Sequence, residues 1–205
     1  VSVADVPTGS PPSLIRDDQG TARCWWCGDD RDYLPYHDDE WGVAVHSDAR
    51  LFEKLCLEGF QAGLAWITIL RKRPAFRAAF ADFDPTEVAG FGPRDVDRLL
   101  ADAGIVRHRG KIEATITNAR AYQDLIAAEG SLDAYVWRFA PEQAPPAPRT
   151  ADDVPAVTRE STALSKDLKR RGWRFVGPTT AYAFMQSMGL VNDHLAGCVA
   201  RPGRG

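Results

Sequence analysis

The chain reads as an all-α protein of about eight helices. Apolar residues recur at helical spacing, and prolines and glycines punctuate the sequence at helix-sized intervals. Runs of alternating β-branched residues long enough for a sheet are missing, and no segment repeats. Taken in order, residues 1–20 are rich in Pro, Gly and Ser without periodicity, which predicts a flexible tail. Residues 21–200 then form one helical domain, with 201–205 as a short C-terminal tail. From Ala49 to Leu70, Leu51, Phe52, Leu55 and Cys56, then Leu64, Ile67 and Leu70, predict two helices. Gly59 and Gly63 mark a break between them, and Ser47 or Asp48 supplies the N-cap. Further on, Pro74, Pro85, Pro93 and Pro178 open segments, while Gly90, Gly104, Gly130, Gly172 and Gly189 close them. Residues 140–159 are Pro- and Ala-rich and predict an exposed connection.

At 205 residues, 44% hydrophobic and 26% charged, the chain is long enough for one substantial core. Four cysteines are too few for a disulfide scaffold at this length. With no long apolar run and no signal-peptide pattern, the expected setting is the cytoplasm, without a membrane partner and as a monomer. A net charge of -3 argues against a nucleic-acid coat protein, yet leaves room for one local basic surface.

Three groups of residues point to chemistry. Cys24 with His37, and His194 with Cys198, lie at opposite ends of the chain, the second pair one helical turn apart. On one ion they would complete tetrahedral zinc with no open position, a structural site unsuited to a zinc hydrolase. The alternative is that all four are plain core residues. Residues 93–128 form a second group, a short helix ending at Gly104, the link IVRHR, and a longer helix from Gly110 and Lys111. Ile112, Ile116, Ala119 and Tyr122 or Leu125 line one face of that longer helix. Its first N–H groups, with Arg107, His108, Arg109 and Lys111, make a phosphate-binding helix-hairpin-helix, or else a solvated turn. In the third group, Trp25, Trp26, Tyr33, Tyr36, Trp41 and Trp66 accompany Glu58, a carboxylate near a helix C-terminus where the dipole disfavours it. Something else should hold it there. Aromatic walls with one carboxylate suit a flat, positively charged ligand, although at least half of these rings are read as core filling, leaving about four for a pocket.

The blocks RCWWCGDDRDYLPYHDDEWG, LFEKLCLEGFQAGLAWITILRKR, DAGIVRHRGKIEATITNARAY and ALSKDLKRRGWRFVGPTTAYAFMQSMGLVNDH together resemble the DNA-3-methyladenine glycosylase I family over about residues 22–200. The resemblance implies removal of 3-methyladenine from alkylated double-stranded DNA by hydrolysis of its N-glycosidic bond, with the free base as product. It implies a structural zinc on Cys24, His37, His194 and Cys198. Glu58 and Tyr36 would hydrogen-bond the extruded base, Trp66 would stack on it, and Trp26, Trp41 and Tyr33 would shape the pocket. Leu64 would be the wedge that fills the gap in the duplex, and the turn from Gly104 to Lys111 would grip the backbone. Cys27 departs from the family pattern and is read as a bystander. Asp124 receives no role, and no lysine is placed by a motif as a Schiff-base nucleophile, so a monofunctional enzyme is expected. The rival reading is a noncatalytic, zinc-stabilised DNA-binding module.

Overall fold

The computed structural model describes residues 13–201. Its axis is α2 (Asp48–Gln61), and the sequence of that helix explains the position. Leu51, Phe52, Leu55, Cys56, Leu57 and Phe60 are spread around its circumference, and each is at most 2% exposed. A helix that is apolar all round is buried all round. Lys54 and Glu58 lie buried in the same helix, where charges rarely persist unless paired. The helix runs through Gly59, so the break before the next helix falls at Ala62–Ala65 rather than at the first of the two expected glycines.

Around it stand α1 (Tyr33–Pro35), which passes into a π-helical turn at Tyr36–Glu40, and α3 (Trp66–Ala79). Then follow α4 (Pro85–Ala89), α5 (Pro93–Ala101), α6 (Arg109–Glu129), α7 (Leu132–Trp137), α8 (Arg159–Arg170) and α9 (Pro178–Ser187). Nine α-helices are thus present among the described residues, and none is long and apolar enough to cross a membrane. Pro85, Pro93 and Pro178 sit in first turns, as their spacing predicts. Pro74 does not open a segment; it lies inside α3. The helix continues past it because Phe76 and Phe80 on the next turn are fully buried, and core packing outweighs one lost backbone bond.

Two further expectations are corrected. Ser47 is the N-cap residue of α2, but its side chain makes no capping bond. The Asp48 carboxylate caps α7 instead, accepting from Leu132 N at 2.9 Å and Asp133 N at 2.8 Å. The second correction is a small sheet, β1 (Leu14–Arg16) antiparallel to β2 (Ala22–Cys24), with Leu14 opposite Cys24. Strands this short leave no alternation to read, and Leu14 is held by packing against Cys24, Leu195 and Cys198. The expected tail therefore does not extend to residue 20. Residues 1–12 and 202–205 lie outside the described residues.

α5 and α6 form the anticipated pair joined by a short link. A Cβ on Gly104 would come within 2.9 Å of the Asp102 carboxylate and 3.0 Å of Ala75 Cβ, so the turn has no room for a side chain. Lys72 on α3 ties the turn down, donating to Ala103 O at 2.9 Å and Gly104 O at 3.1 Å. The face of α6 carrying Ile112, Ile116, Ala119, Tyr122 and Leu125 is buried, as its spacing predicts, and Asp124 is exposed. Residues 140–159 are largely exposed but anchored: Pro148 O accepts from Ala196 N at 2.8 Å, and Val154 packs near Cys24 and Cys198.

Candidate functional site

The two ends of the chain meet at a cluster of Cys24, His37, His194 and Cys198, all buried, with ligand atoms within 4.8 Å of one another. Cys24 Sγ lies 3.7 Å from His194 Nδ1, Cys198 Sγ 3.6 Å from the same nitrogen, and Cys198 Sγ 3.4 Å from His37 Nε2. Each imidazole is oriented by its other nitrogen. His37 Nδ1 meets Asp38 Oδ1 at 2.6 Å, and His194 Nε2 meets the Trp41 carbonyl at 2.8 Å. Gly42, at φ +80, makes room for this, since a Cβ there would lie 3.1 Å from the His194 ring. The group could hold a metal ion. Cys27 stands outside it, its thiol donating to Cys24 O at 3.1 Å.

Beside the cluster opens a cavity of about 380 Å³. Trp25, Trp26, Tyr33, Tyr36, Trp41, Trp66 and Glu58 all line it, so more of the six rings reach the cavity than the core-filling reading allowed. α1 and the π-turn supply Tyr33 and Tyr36, α2 supplies Glu58, and α3 begins with Trp66. Trp26 packs edge-on against Tyr33, Tyr36 and Trp41 at centroid separations of 5.5, 6.3 and 5.1 Å. The Tyr33 hydroxyl accepts from Ile67 N at 3.0 Å, fixing the wall to the start of α3.

What holds Glu58 near the end of α2 is Lys54, one turn earlier, whose Nζ lies 3.0 Å from Glu58 Oε1. The same nitrogen donates to Tyr36 OH at 2.9 Å and stands 3.2 Å from the Trp66 ring centroid. Burial, and next the charge of Glu58, holds the Tyr36 phenol well above its ordinary value, so it is a neutral donor. Two buried polar atoms of cavity residues have no partner, Glu58 Oε2 and Trp66 Nε1. Gln61, Ala65, Val154, Ala183, Gln186 and Asp193 complete the lining and were not expected. Asp193, buried, accepts from Tyr182 OH at 2.6 Å and Gln186 Nε2 at 2.8 Å. The adjacency of Asp193 to His194 was the one signal in the sequence that could have found it.

Leu64, in the loop between α2 and α3, is 40% exposed. Arg107 and His108 are exposed just before α6 and Arg109 at its first position; His108 Nδ1 caps the helix by accepting from Lys111 N at 3.2 Å, and Gly110 lies beneath the His108 ring. Lys111 differs from expectation. Its ammonium points inward, donating to Phe60 O at 2.8 Å and Ala62 O at 2.6 Å. The carbonyls ending α2 carry the negative pole of that helix and attract it.

Fold and site together define a mostly helical protein with an aromatic-walled cavity that carries a buried carboxylate beside a Cys/His cluster. The chain belongs to the methyladenine glycosylase family, whose model matches residues 26–201. It is 50% identical over 182 residues to DNA-3-methyladenine glycosylase 1 of Escherichia coli, covering 88% of this chain and 97% of that protein. Identity to DNA-3-methyladenine glycosylase of Haemophilus influenzae is 46% over 181 residues, 87% of this chain and 97% of the relative. Among solved structures, a 3-methyladenine DNA glycosylase I superposes with a TM-score of 0.85 at 49% identity, over 88% of this chain and 100% of the other. A tyrosine-to-phenylalanine variant of such an enzyme, solved in complex with 3-methyladenine, matches with a TM-score of 0.83 at 37% identity, over 88% and 97%.

Proposed function

We propose that this chain extrudes 3-methyladenine from alkylated duplex DNA and hydrolyses its N-glycosidic bond, leaving an abasic site and an uncut strand. The observation that carries this reading is Glu58 Oε2, a buried carboxylate oxygen without a partner on a residue that lines the aromatic slot. Buried polar atoms are nearly always paired, so an orphan in a cavity calls for a ligand with an N–H. Adenine alkylated at N3 offers one in its exocyclic amine, carries positive charge, and stacks on rings.

The chemistry asks little of the protein beyond extraction and grip. The bond between the sugar C1′ and the base nitrogen breaks, its electron pair neutralises the cationic base, and water adds to C1′ with loss of a proton. No general acid is needed for a leaving group that departs neutral. Extrusion costs a few kcal/mol, least for a damaged base, and stacking returns roughly 1–3 kcal/mol per base. In this reading Trp66 stacks on the base, Tyr36 and Glu58 hydrogen-bond it, and Trp26, Trp41 and Tyr33 bound its outline. Leu64 occupies the vacated stack as an apolar wedge. The helix-hairpin-helix of α5 and α6 grips phosphates through Arg107, His108, Arg109 and the N–H groups near Gly110, while Lys111 fixes that turn to the wedge loop.

Zinc fits the Cys/His cluster. Metal–ligand bonds of about 2.3 Å to sulfur and 2.0–2.1 Å to nitrogen set a tetrahedral S···N edge of roughly 3.6 Å. The observed S···N separations of 3.4–3.7 Å match it. Cys24 is pushed up chiefly by its hydrogen bond to Cys198, so two thiolates share this space only with a cation between them. Four protein ligands leave no position for water, and the metal would supply structure alone. The relatives' work on DNA favours a cytoplasmic setting, and a monomer remains part of this reading.

The test is incubation with methylated duplex DNA and chromatography of the released bases. Free 3-methyladenine with a strand that breaks only after later treatment of the abasic site is expected. Binding without base release would overturn the reading in favour of a noncatalytic module.

A further inference from the structure

Lys54 has no part in the function argued so far, yet it touches three residues of the slot. We infer that Lys54 is a positioning residue that sets the hydrogen-bonding directions of the pocket, leaving Glu58 Oε2 as an acceptor and the Tyr36 O–H as a donor for the base. This rests on the reading that the cavity receives an adenine.

The argument is one of proton counting. An ammonium has three N–H donors and no acceptor. Its 2.9 Å contact with Tyr36 OH therefore runs from nitrogen to phenol oxygen, and the phenol hydrogen must point elsewhere. Its 3.0 Å contact with Glu58 occupies Oε1, and the partnerless oxygen is Oε2. The third contact, 3.2 Å from the Trp66 centroid, steadies the stacking ring. An acceptor beside a donor complements the exocyclic amine and neighbouring ring nitrogen of adenine. A carbonyl in place of the amine would face Oε2 lone pair to lone pair, a mismatch that buried sites reject strongly.

Lys54 itself lies behind Tyr36 and Trp66 and does not line the slot, so it is no candidate nucleophile toward C1′. On its far side are Glu40, Glu53, Arg50, Arg73 and Arg77. There Arg73 pairs with Glu40 at 2.6 Å and Arg77 with Glu53 at 2.8 Å, which leaves Glu58 as its direct counterion. Burial pulls the Lys54 ammonium down to about 8, against the raising effect of Glu58. Once neutral, the amine carries a lone pair and accepts the phenol hydrogen, which withdraws the donor from the base.

The experiment measures affinity for free 3-methyladenine and single-turnover release from methylated duplex, from roughly pH 7 to 9.5, for wild type, Lys54→Met and Lys54→Gln. Melting curves select conditions in which each protein is folded. Wild type should lose about tenfold in both quantities as pH passes about 8. Lys54→Met should be weaker by about tenfold or more at neutral pH and show no such limb. Lys54→Gln, which donates without titrating, should fall between the two and also be flat. A wild-type profile with no loss across this range, or a limb that persists in Lys54→Gln, would overturn the inference while leaving the glycosylase reading intact. If Lys54→Met fails to fold, the wild-type profile and Lys54→Gln still decide. Wild type that neither binds nor releases 3-methyladenine at neutral pH would sink the proposed function and this inference with it.

Discussion

Tyr36 and His37 are neighbours in the chain but face two opposite kinds of site. His37 joins a cluster in which each imidazole has both nitrogens engaged, one toward a thiol and one toward an oxygen. Tyr36 lines a slot where Glu58 Oε2 and Trp66 Nε1 are buried with nothing to bond. Saturated polar groups hold structure, whereas unsatisfied ones in a cavity are poised for something that arrives later. The difference assigns stability to one region and recognition to the other, and substitutions can try to exchange those roles.

The largest effect should come from Cys198→Ala. Loss of the metal should cost on the order of 5 kcal/mol and lower the melting temperature by roughly 10–20 °C. Calorimetry together with metal analysis checks this, and one retained equivalent of zinc would break the four-ligand assignment. Next comes Glu58→Gln, which keeps an acceptor for Lys54 but removes the charge facing the base. Release of 3-methyladenine should slow about 100-fold, roughly 3 kcal/mol, with melting little changed; unchanged release would erase the contrast between the regions. Trp66→Ala should weaken binding of the free base by about tenfold to 100-fold through lost stacking, read by calorimetry. The comparison sharpens further at the surface. Leu64→Ala should slow release from duplex by several-fold, yet leave affinity for the free base unaltered. Arg107→Ala and Arg109→Ala should each lower the slope of log affinity against log salt by about one, independent of sequence, in duplex titrations.

Much of this is legible in the sequence. The apolar faces of α2 and α6 follow from spacing, and Pro85, Pro93 and Pro178 opened helices because a fixed φ and a missing N–H suit a first turn. The aromatic residues and Glu58 lie close in the chain and line one cavity, and the dipole argument demanded a partner for the carboxylate. That partner was missed. Lys54 looked like one more charged residue on a helix, because periodicity cannot reveal that α2 is buried on every side. The strands at Leu14–Arg16 and Ala22–Cys24 are too short for any pattern to form. Gln186 and Asp193 reach the slot from α9 and the segment beyond it, a meeting that no local signal announces.

By itself, the sequence determined the helical character of the chain, the ring and carboxylate side chains near its start, and four residues of two types, Cys and His, that could hold a metal ion, since periodicity, capping chemistry and side-chain identity are local properties. Only the tertiary structure decided which polar groups meet. It turned Asp48 to cap α7, drew Lys111 inward to the end of α2, and set Lys54 against Glu58 and Tyr36. The physical reason is that a buried charge takes whichever partner the packed core brings within about 3 Å, and away from water the cost of lacking one exceeds any local preference.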